Sequence, residues 1–125
     1  MRPFLLLAAP VLVLAAPAIA TGGFDCRATD GSGIGLSGTI GHVAGSPLVA
    51  AVLVLDGRTL PTATARPQVA IGRSWIDARE IRVDLVDPQA TRFEAKLRVR
   101  IMTRLGATGT LRRDGATHPV RCEVE

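Results

Sequence analysis

Residues 91–101 read TRFEAKLRVRI, and this stretch decides the fold class. Its apolar side chains alternate one by one with charged ones, which places all the apolar groups on one face of a β-strand. A helix would distribute the same charges around its whole circumference. The pattern therefore predicts a strand with one face in the core, and its inward residues are Phe93, Ala95, Leu97, Val99 and Ile101.

The preceding segment, residues 80–86 (EIRVDLV), alternates in the same way and predicts a neighbouring strand. Between the two strands, residues 87–89 (DPQ) have the composition of a turn. Charge complementarity favours the register in which Val86 pairs with Ala90. The opposite charges that would then face each other are Asp84 with Arg92, Arg82 with Glu94, and Glu80 with Lys96.

Two Asp-Gly dipeptides, at residues 56–57 and 114–115, predict two-residue hairpin turns. The pairs that these turns place opposite each other are Leu55 with Arg58, Leu53 with Leu60, and Arg113 with Ala116.

Three more segments complete the expected arrangement. Residues 49–55 (VAAVLVL) are apolar at every position, which predicts a strand buried on both faces or covered by a partner. Residues 33–43 contain repeated glycines and predict a bent strand, and residues 61–67 predict a loop. We therefore predict an all-β fold, a small antiparallel meander of about seven to nine strands that forms a barrel or a sandwich.

The first twenty residues have the plan of a secretory signal peptide. Arg2 provides a positive start, an uncharged apolar run follows to Ala16, and small residues precede position 21. We predict that residues 1–20 are a cleaved signal peptide and that residues 21–125 form a single exported domain, periplasmic or secreted and not membrane-spanning once the signal is removed. An uncleaved membrane anchor is the alternative.

The chain has only two cysteines, Cys26 and Cys122. In an oxidising compartment two cysteines in a small domain pair, which predicts a structural disulfide between the two ends of the domain. A redox pair or a catalytic thiol is the alternative, but the C-x-x-C spacing of a redox pair is absent.

Composition and motifs argue against several functions. The formal net charge of +4 is small, and aromatic residues make up 3% of the chain, so we expect no nucleic-acid partner. Residues 33–38 match G-x-G-x-x-G but are not followed by a helix start. His42 and His118 are the only histidines, and no nucleophile motif surrounds a serine. We predict no catalytic site, no metal and no cofactor.

Trp75 is a candidate functional residue, because it is the only tryptophan in the chain. The stretch SWID at residues 74–77 is compatible with a short helix, and we expect Trp75 to fill the core or cap a barrel end. The alternative is an exposed anchor beside Arg73 and Arg79. Arg98 and Arg100 have no acidic partner in the favoured register and, with Arg112 and Arg113, form either a cationic strip or a solvated wall. The candidate interaction surface is Trp75, Arg73, Arg79, Arg98 and Arg100.

We therefore expect an exported, non-enzymatic module that binds a protein or an envelope component. The expected architecture is similar to that of small exported β-barrels whose ends are joined by a disulfide, which include inhibitors of lysozyme, although the loop motif of those inhibitors is not found in this sequence. One alternative is a carrier for a small apolar ligand inside a barrel. Another is a hydrolase, which would bring serine or carboxylate side chains together in a cleft beside a histidine.

Overall fold

A computed structural model describes residues 22–41, 48–103 and 106–125, and these residues form nine antiparallel strands and no helix. The predicted signal peptide and His42 lie outside the described residues. The strands are β1 (Gly22–Ala28), β2 (Gly35–Ile40), β3 (Leu48–Leu55), β4 (Arg58–Pro61), β5 (Ala70–Ile76), β6 (Glu80–Val86), β7 (Phe93–Ile101), β8 (Ala107–Arg113) and β9 (Ala116–Val124).

The strands form a single sheet in the order β4-β3-β2-β1-β9-β8-β7-β6-β5. Each strand pairs with the next along the chain except at β4 and β5, which residues 62–69 connect and which form the two edges. The first and last strands pair instead, at the centre of the sheet. The predicted all-β meander is confirmed, and the sheet curls into a half-barrel, since β3 approaches β5 across the opening.

Both Asp-Gly hairpins have the predicted pairing. Leu55 pairs with Arg58 and Leu53 with Leu60 around the first turn, and Arg113 pairs with Ala116 around the second. At the second turn Asp114 and Gly115 both have positive φ, 51° and 76°. This is the conformation of a type I′ turn, whose twist matches that of the flanking strands.

The register predicted between β6 and β7 is wrong. Val86 pairs with Phe93, and Asp84 lies opposite Lys96 instead of Arg92. The prediction that Phe93 points inward is also wrong, since its side chain is 59% exposed. The loop between the strands is longer than expected because the buried carboxylate of Asp87 organises it. This carboxylate accepts hydrogen bonds at 2.7 Å from the Thr91 and Arg92 backbone N–H groups and from the Thr91 hydroxyl. Three hydrogen bonds to one ionised carboxylate outweigh a cross-strand charge pair, because hydrogen bonds to charged groups are stronger than an exposed ion pair.

The core lies on the concave face of the sheet. Its largest fully buried side chains are Leu36, Leu53, Ile81, Leu85, Leu97, Leu111, Val69 and Val83 together with Cys26 and Cys122. The expectation that residues 49–55 are buried on both faces is wrong in the part of the chain that the structure describes. Val49 is 56% exposed, and Val52 and Val54 are only half-buried.

The predicted disulfide is confirmed. Cys26 on β1 and Cys122 on β9 are bonded, and both are buried in the core. The bridge therefore ties together the two strands that carry the ends of the domain.

Candidate binding surface around Trp75

Trp75 lies on the outer face of the edge strand β5 and is 59% exposed. The prediction of a core plug is wrong, and so is that of a short helix, since residues 74–76 all pair with β6. Ile71 pairs with Leu85, but the next pair is Ser74 with Val83, so β5 contains one extra residue at this point. Because successive strand residues alternate between the two faces, this bulge turns Ser74 inward and Trp75 outward.

The indole of Trp75 is held in place although it is exposed. Its Nε1–H donates a hydrogen bond to Asp77 Oδ2 at 3.0 Å. The other carboxylate oxygen of Asp77 accepts from the backbone N–H groups of Arg79 and Glu80 at 2.7 and 2.9 Å. These three hydrogen bonds lower the pKa of Asp77 below its ordinary value, and the bond from Trp75 has the largest effect. The turn between β5 and β6 thus fixes the orientation of the ring.

Trp75 forms one wall of an open depression of about 410 Å³. Trp75 pairs with Arg82, and Arg82 in turn pairs with Arg98, so the three side chains form a row across β5, β6 and β7 on one face. The residues that line the depression are Arg73, Ser74, Trp75, Arg82, Asp84 and Arg98.

Arg82 was missed as a site residue, because the expected register paired it with Glu94. The sequence signal that could have placed Trp75 beside Arg82 is Gly72, since a glycine inside a strand often marks a bulge. A Cβ at this glycine would lie 3.1 Å from both Asp84 O and Val86 Cγ1. The bulge is what places Trp75 on the same face as Arg82.

The charges of the depression are only partly neutralised. Arg82 forms an ion pair with Glu80 at 3.1 Å, and Arg98 Nη1 lies 2.8 Å from Asp84 Oδ1. The expectation that Arg98 has no acidic partner is therefore wrong. For Arg73 and Arg100, no acidic side chain lies within ion-pairing distance in the part of the chain that the structure describes.

The carboxylate of Asp84 is unusual because its side chain is only 10% exposed. Its Oδ1 is shielded from solvent and accepts no well-aligned hydrogen bond, although Arg98 Nη1 lies close to it. Arg98 Nη1 also donates to the Leu97 carbonyl at 2.8 Å. The contact between Asp84 and Arg98 is thus mainly Coulombic. The carboxylate keeps unused capacity to accept hydrogen bonds.

The other arginines singled out from the sequence do not line this depression. Arg100 lines a neighbouring depression of about 370 Å³, which Arg82 and Arg98 also line. Arg79 lies in the β5–β6 turn, exposed, and lines neither depression. Arg113 does not extend a cationic strip, because its half-buried guanidinium is 2.6 Å from Asp114 and 3.9 Å from Glu94.

A second polar cluster joins β9 to the segment between β1 and β2. His118 Nδ1 is 2.7 Å from Asp30 Oδ2, and the His118 side chain is only 19% exposed. Hydrogen bonds from the Ser32 side chain and from His118 lower the pKa of Asp30 to about 2. The Ser32 hydroxyl oxygen accepts a hydrogen bond from the Ile34 backbone N–H at 3.4 Å, and among the described residues the hydrogen-bond partner of the His118 imidazole is Asp30.

Within the described residues, no three histidine, cysteine or acidic side chains cluster as metal ligands would, and no helix is long and apolar enough to cross a membrane. Comparisons with protein-family models, with curated proteins and with solved structures gave no significant match for this chain.

Proposed function

We propose that this protein is an exported, non-enzymatic binding module that holds an anionic partner against the outer face of β5, β6 and β7. The observation that carries this proposal is the exposed Trp75 in a row with Arg82 and Arg98. Tryptophan and arginine dominate the energetics of binding surfaces, because each combines a large contact area with a directional polar group.

The fixed indole supports a binding role. A side chain that becomes ordered on binding costs about 0.5–1.5 kcal/mol. The hydrogen bond from Trp75 to Asp77 already orders this ring in the free protein, at 59% exposure. A partner that binds at Trp75 therefore causes little further loss of side-chain entropy.

The charge of the face indicates the sign of the partner. Arg73, Arg82, Arg98 and Arg100 line the two adjacent depressions, with Glu80 and Asp84 as the acidic residues among them. Arginine is suited to such a surface, because its guanidinium holds carboxylates and phosphates with two parallel hydrogen bonds. The excess of positive charge attracts an anion and accelerates its association at low salt.

Export is supported by the disulfide. The Cys26–Cys122 bond is compatible with an oxidising compartment outside the cytoplasm. We therefore propose an anionic envelope component as the partner.

The test uses Trp75 as its own reporter, because the chain has one tryptophan. The oxidised protein, residues 21–125, is titrated with polygalacturonate and with poly-L-glutamate at low and high salt while the fluorescence is recorded. We expect at least one polyanion to shift the emission saturably, with weaker binding at high salt and in Arg73→Ala and Arg82→Ala. The control is Arg58→Ala on the opposite edge strand, which removes the same charge outside the site. A spectrum unchanged by both polymers overturns the proposal.

A further inference from the structure

We infer that the unit bound at Trp75 is a single acidic sugar ring, and that Asp84 is the group that selects it. This inference rests on the proposed function and names the chemistry of its partner. It starts from the carboxylate of Asp84, whose presence among the lining arginines a simple anion-binding surface does not explain.

A ligand that opens the Arg98–Asp84 pair must satisfy both of its members. Asp84 is nine-tenths buried, so leaving its carboxylate without a partner is costly. A ligand that supplies only negative charge would attract Arg98 and leave Asp84 unpaired. A ligand that carries a hydroxyl donor beside an acidic group satisfies both, since the hydroxyl donates to Asp84 and the acid accepts from Arg98.

Acidic sugars have this combination on one rigid ring. In a uronic acid the carboxylate and several hydroxyl groups are attached to the same six-membered ring, at fixed separations. The apolar C–H face of such a ring can pack on the exposed indole of Trp75. The depression, of about 410 Å³, has one aromatic wall, so it offers a platform for one ring.

An acidic polypeptide and a polyphosphate fit this site less well. A polyphosphate has no hydrogen-bond donor for Asp84. In poly-L-glutamate the donors are backbone N–H groups, which flexible bonds separate from the side-chain carboxylates, so holding a donor and an acid together costs more conformational entropy. The observations therefore favour an acidic polysaccharide as the partner.

The experiment compares oligomers of galacturonic acid with poly-L-glutamate of the same number of charges, in the oxidised wild-type protein and in Asp84→Asn. Affinity is measured by Trp75 fluorescence and by calorimetry. The control variant Glu123→Gln removes an exposed carboxylate of β9, which lines neither depression. Circular dichroism verifies that each variant is folded.

The direction of the Asp84→Asn effect separates the two explanations. If the partner is an acidic sugar, this change removes a charge-assisted hydrogen bond and weakens galacturonate binding about fivefold or more, whereas Glu123→Gln does not weaken it. If the surface only attracts negative charge, removing the Asp84 carboxylate strengthens the binding of both polymers.

The wild-type protein alone provides a second readout, which remains valid if Asp84→Asn does not fold. We expect galacturonate oligomers to bind about tenfold more tightly than poly-L-glutamate. Equal affinities, or a folded Asp84→Asn that binds galacturonate at least as tightly as wild type, overturn the sugar assignment and leave the anion-binding function standing. No binding of either polymer overturns both.

Discussion

Cys26 and Cys122 lie directly opposite each other in the β1–β9 pair, with their Cα atoms 4.0 Å apart. This pair joins the meander β1–β4 to the meander β5–β9, and it does so with strands from the two ends of the described domain. The disulfide therefore stabilises the one place where the sheet is continued by strands far apart in sequence.

Removing this bond is expected to destabilise the protein. The two cysteines are separated by 96 positions, and cross-linking a loop of that length restricts the unfolded chain strongly. We expect the double variant Cys26→Ala, Cys122→Ala to lose about 2–5 kcal/mol of unfolding free energy, measured by urea denaturation with circular dichroism. Reductant should lower the midpoint of the wild type and leave that of the double variant unchanged. Equal midpoints for wild type and double variant would contradict the prediction.

The exposed position of Trp75 predicts a small effect on stability. Replacing it by alanine should change the unfolding free energy by less than about 1 kcal/mol, because no packed cavity results. Leu97→Ala on β7, at 0% exposure, should cost about 2–5 kcal/mol. Parallel urea titrations of the two variants measure this contrast. Comparable losses would mean that the indole packs in the core.

Gly109 on β8 predicts a steric requirement. A Cβ at this position would overlap the Arg98 carbonyl oxygen and lie 2.7 Å from Val99 Cα. Gly109→Ala must therefore push β8 away from β7, and we expect a loss of about 1–3 kcal/mol in thermal or chemical unfolding. Gly106→Ala is the matched control, since among the described residues its Cβ would meet Thr103 Oγ1, at an ordinary contact distance of 3.4 Å. Similar stabilities for the two variants would argue against the close approach of the two strands.

The contact between Asp30 and His118 predicts a pH dependence. The pKa of Asp30 is about 2 in the folded protein, below the ordinary value of 3.8, because Ser32 and His118 bond to the ionised carboxylate. The stabilisation that the ionised Asp30 carboxylate gives to the folded protein is therefore complete above pH 3.8, and it is lost as the pH falls through about 2.

Unfolding free energies of wild type and Asp30→Asn, measured between pH 7 and pH 2, test this sign. We expect the advantage of the wild type to be constant near neutrality and to shrink on acidification. In Ser32→Ala, which lacks the largest of the bonds to the carboxyl, the loss should occur at a pH nearer to 3.8. If the stability advantage of the wild type over Asp30→Asn grows as the pH falls, the pKa of Asp30 is not lowered in the folded protein.

Local patterns predicted the class of the fold and much of its detail. The alternation of residues 91–101 identified β7 because a strand with one buried face needs a period of two. The Asp-Gly turns identified two hairpins with their registers, because a glycine that adopts positive φ after an aspartate is typical of a two-residue hairpin turn. The disulfide followed from the presence of only two cysteines.

The register between β6 and β7 and the face of Trp75 were not predictable in the same way. Shifting a strand by an even number of residues keeps its buried face unchanged, so most of the alternation in β7 was right while the charge pairing was wrong. The inward position of Phe93 was wrong too, since the register shifts where Phe93 pairs with Val86. One extra residue in β5 reverses the faces beyond it, and its only local sign is Gly72.

The amino-acid sequence by itself determined that the chain forms a meander of half-buried strands held by one disulfide, because periodicity, turn residues and cysteine number are local or compositional properties. Only the tertiary structure decided which side chains share a surface. The row of Trp75, Arg82 and Arg98 depends on a bulge in β5 and on the Asp87 loop between β6 and β7. Both set the register through hydrogen bonds whose partners are determined only when the strands meet.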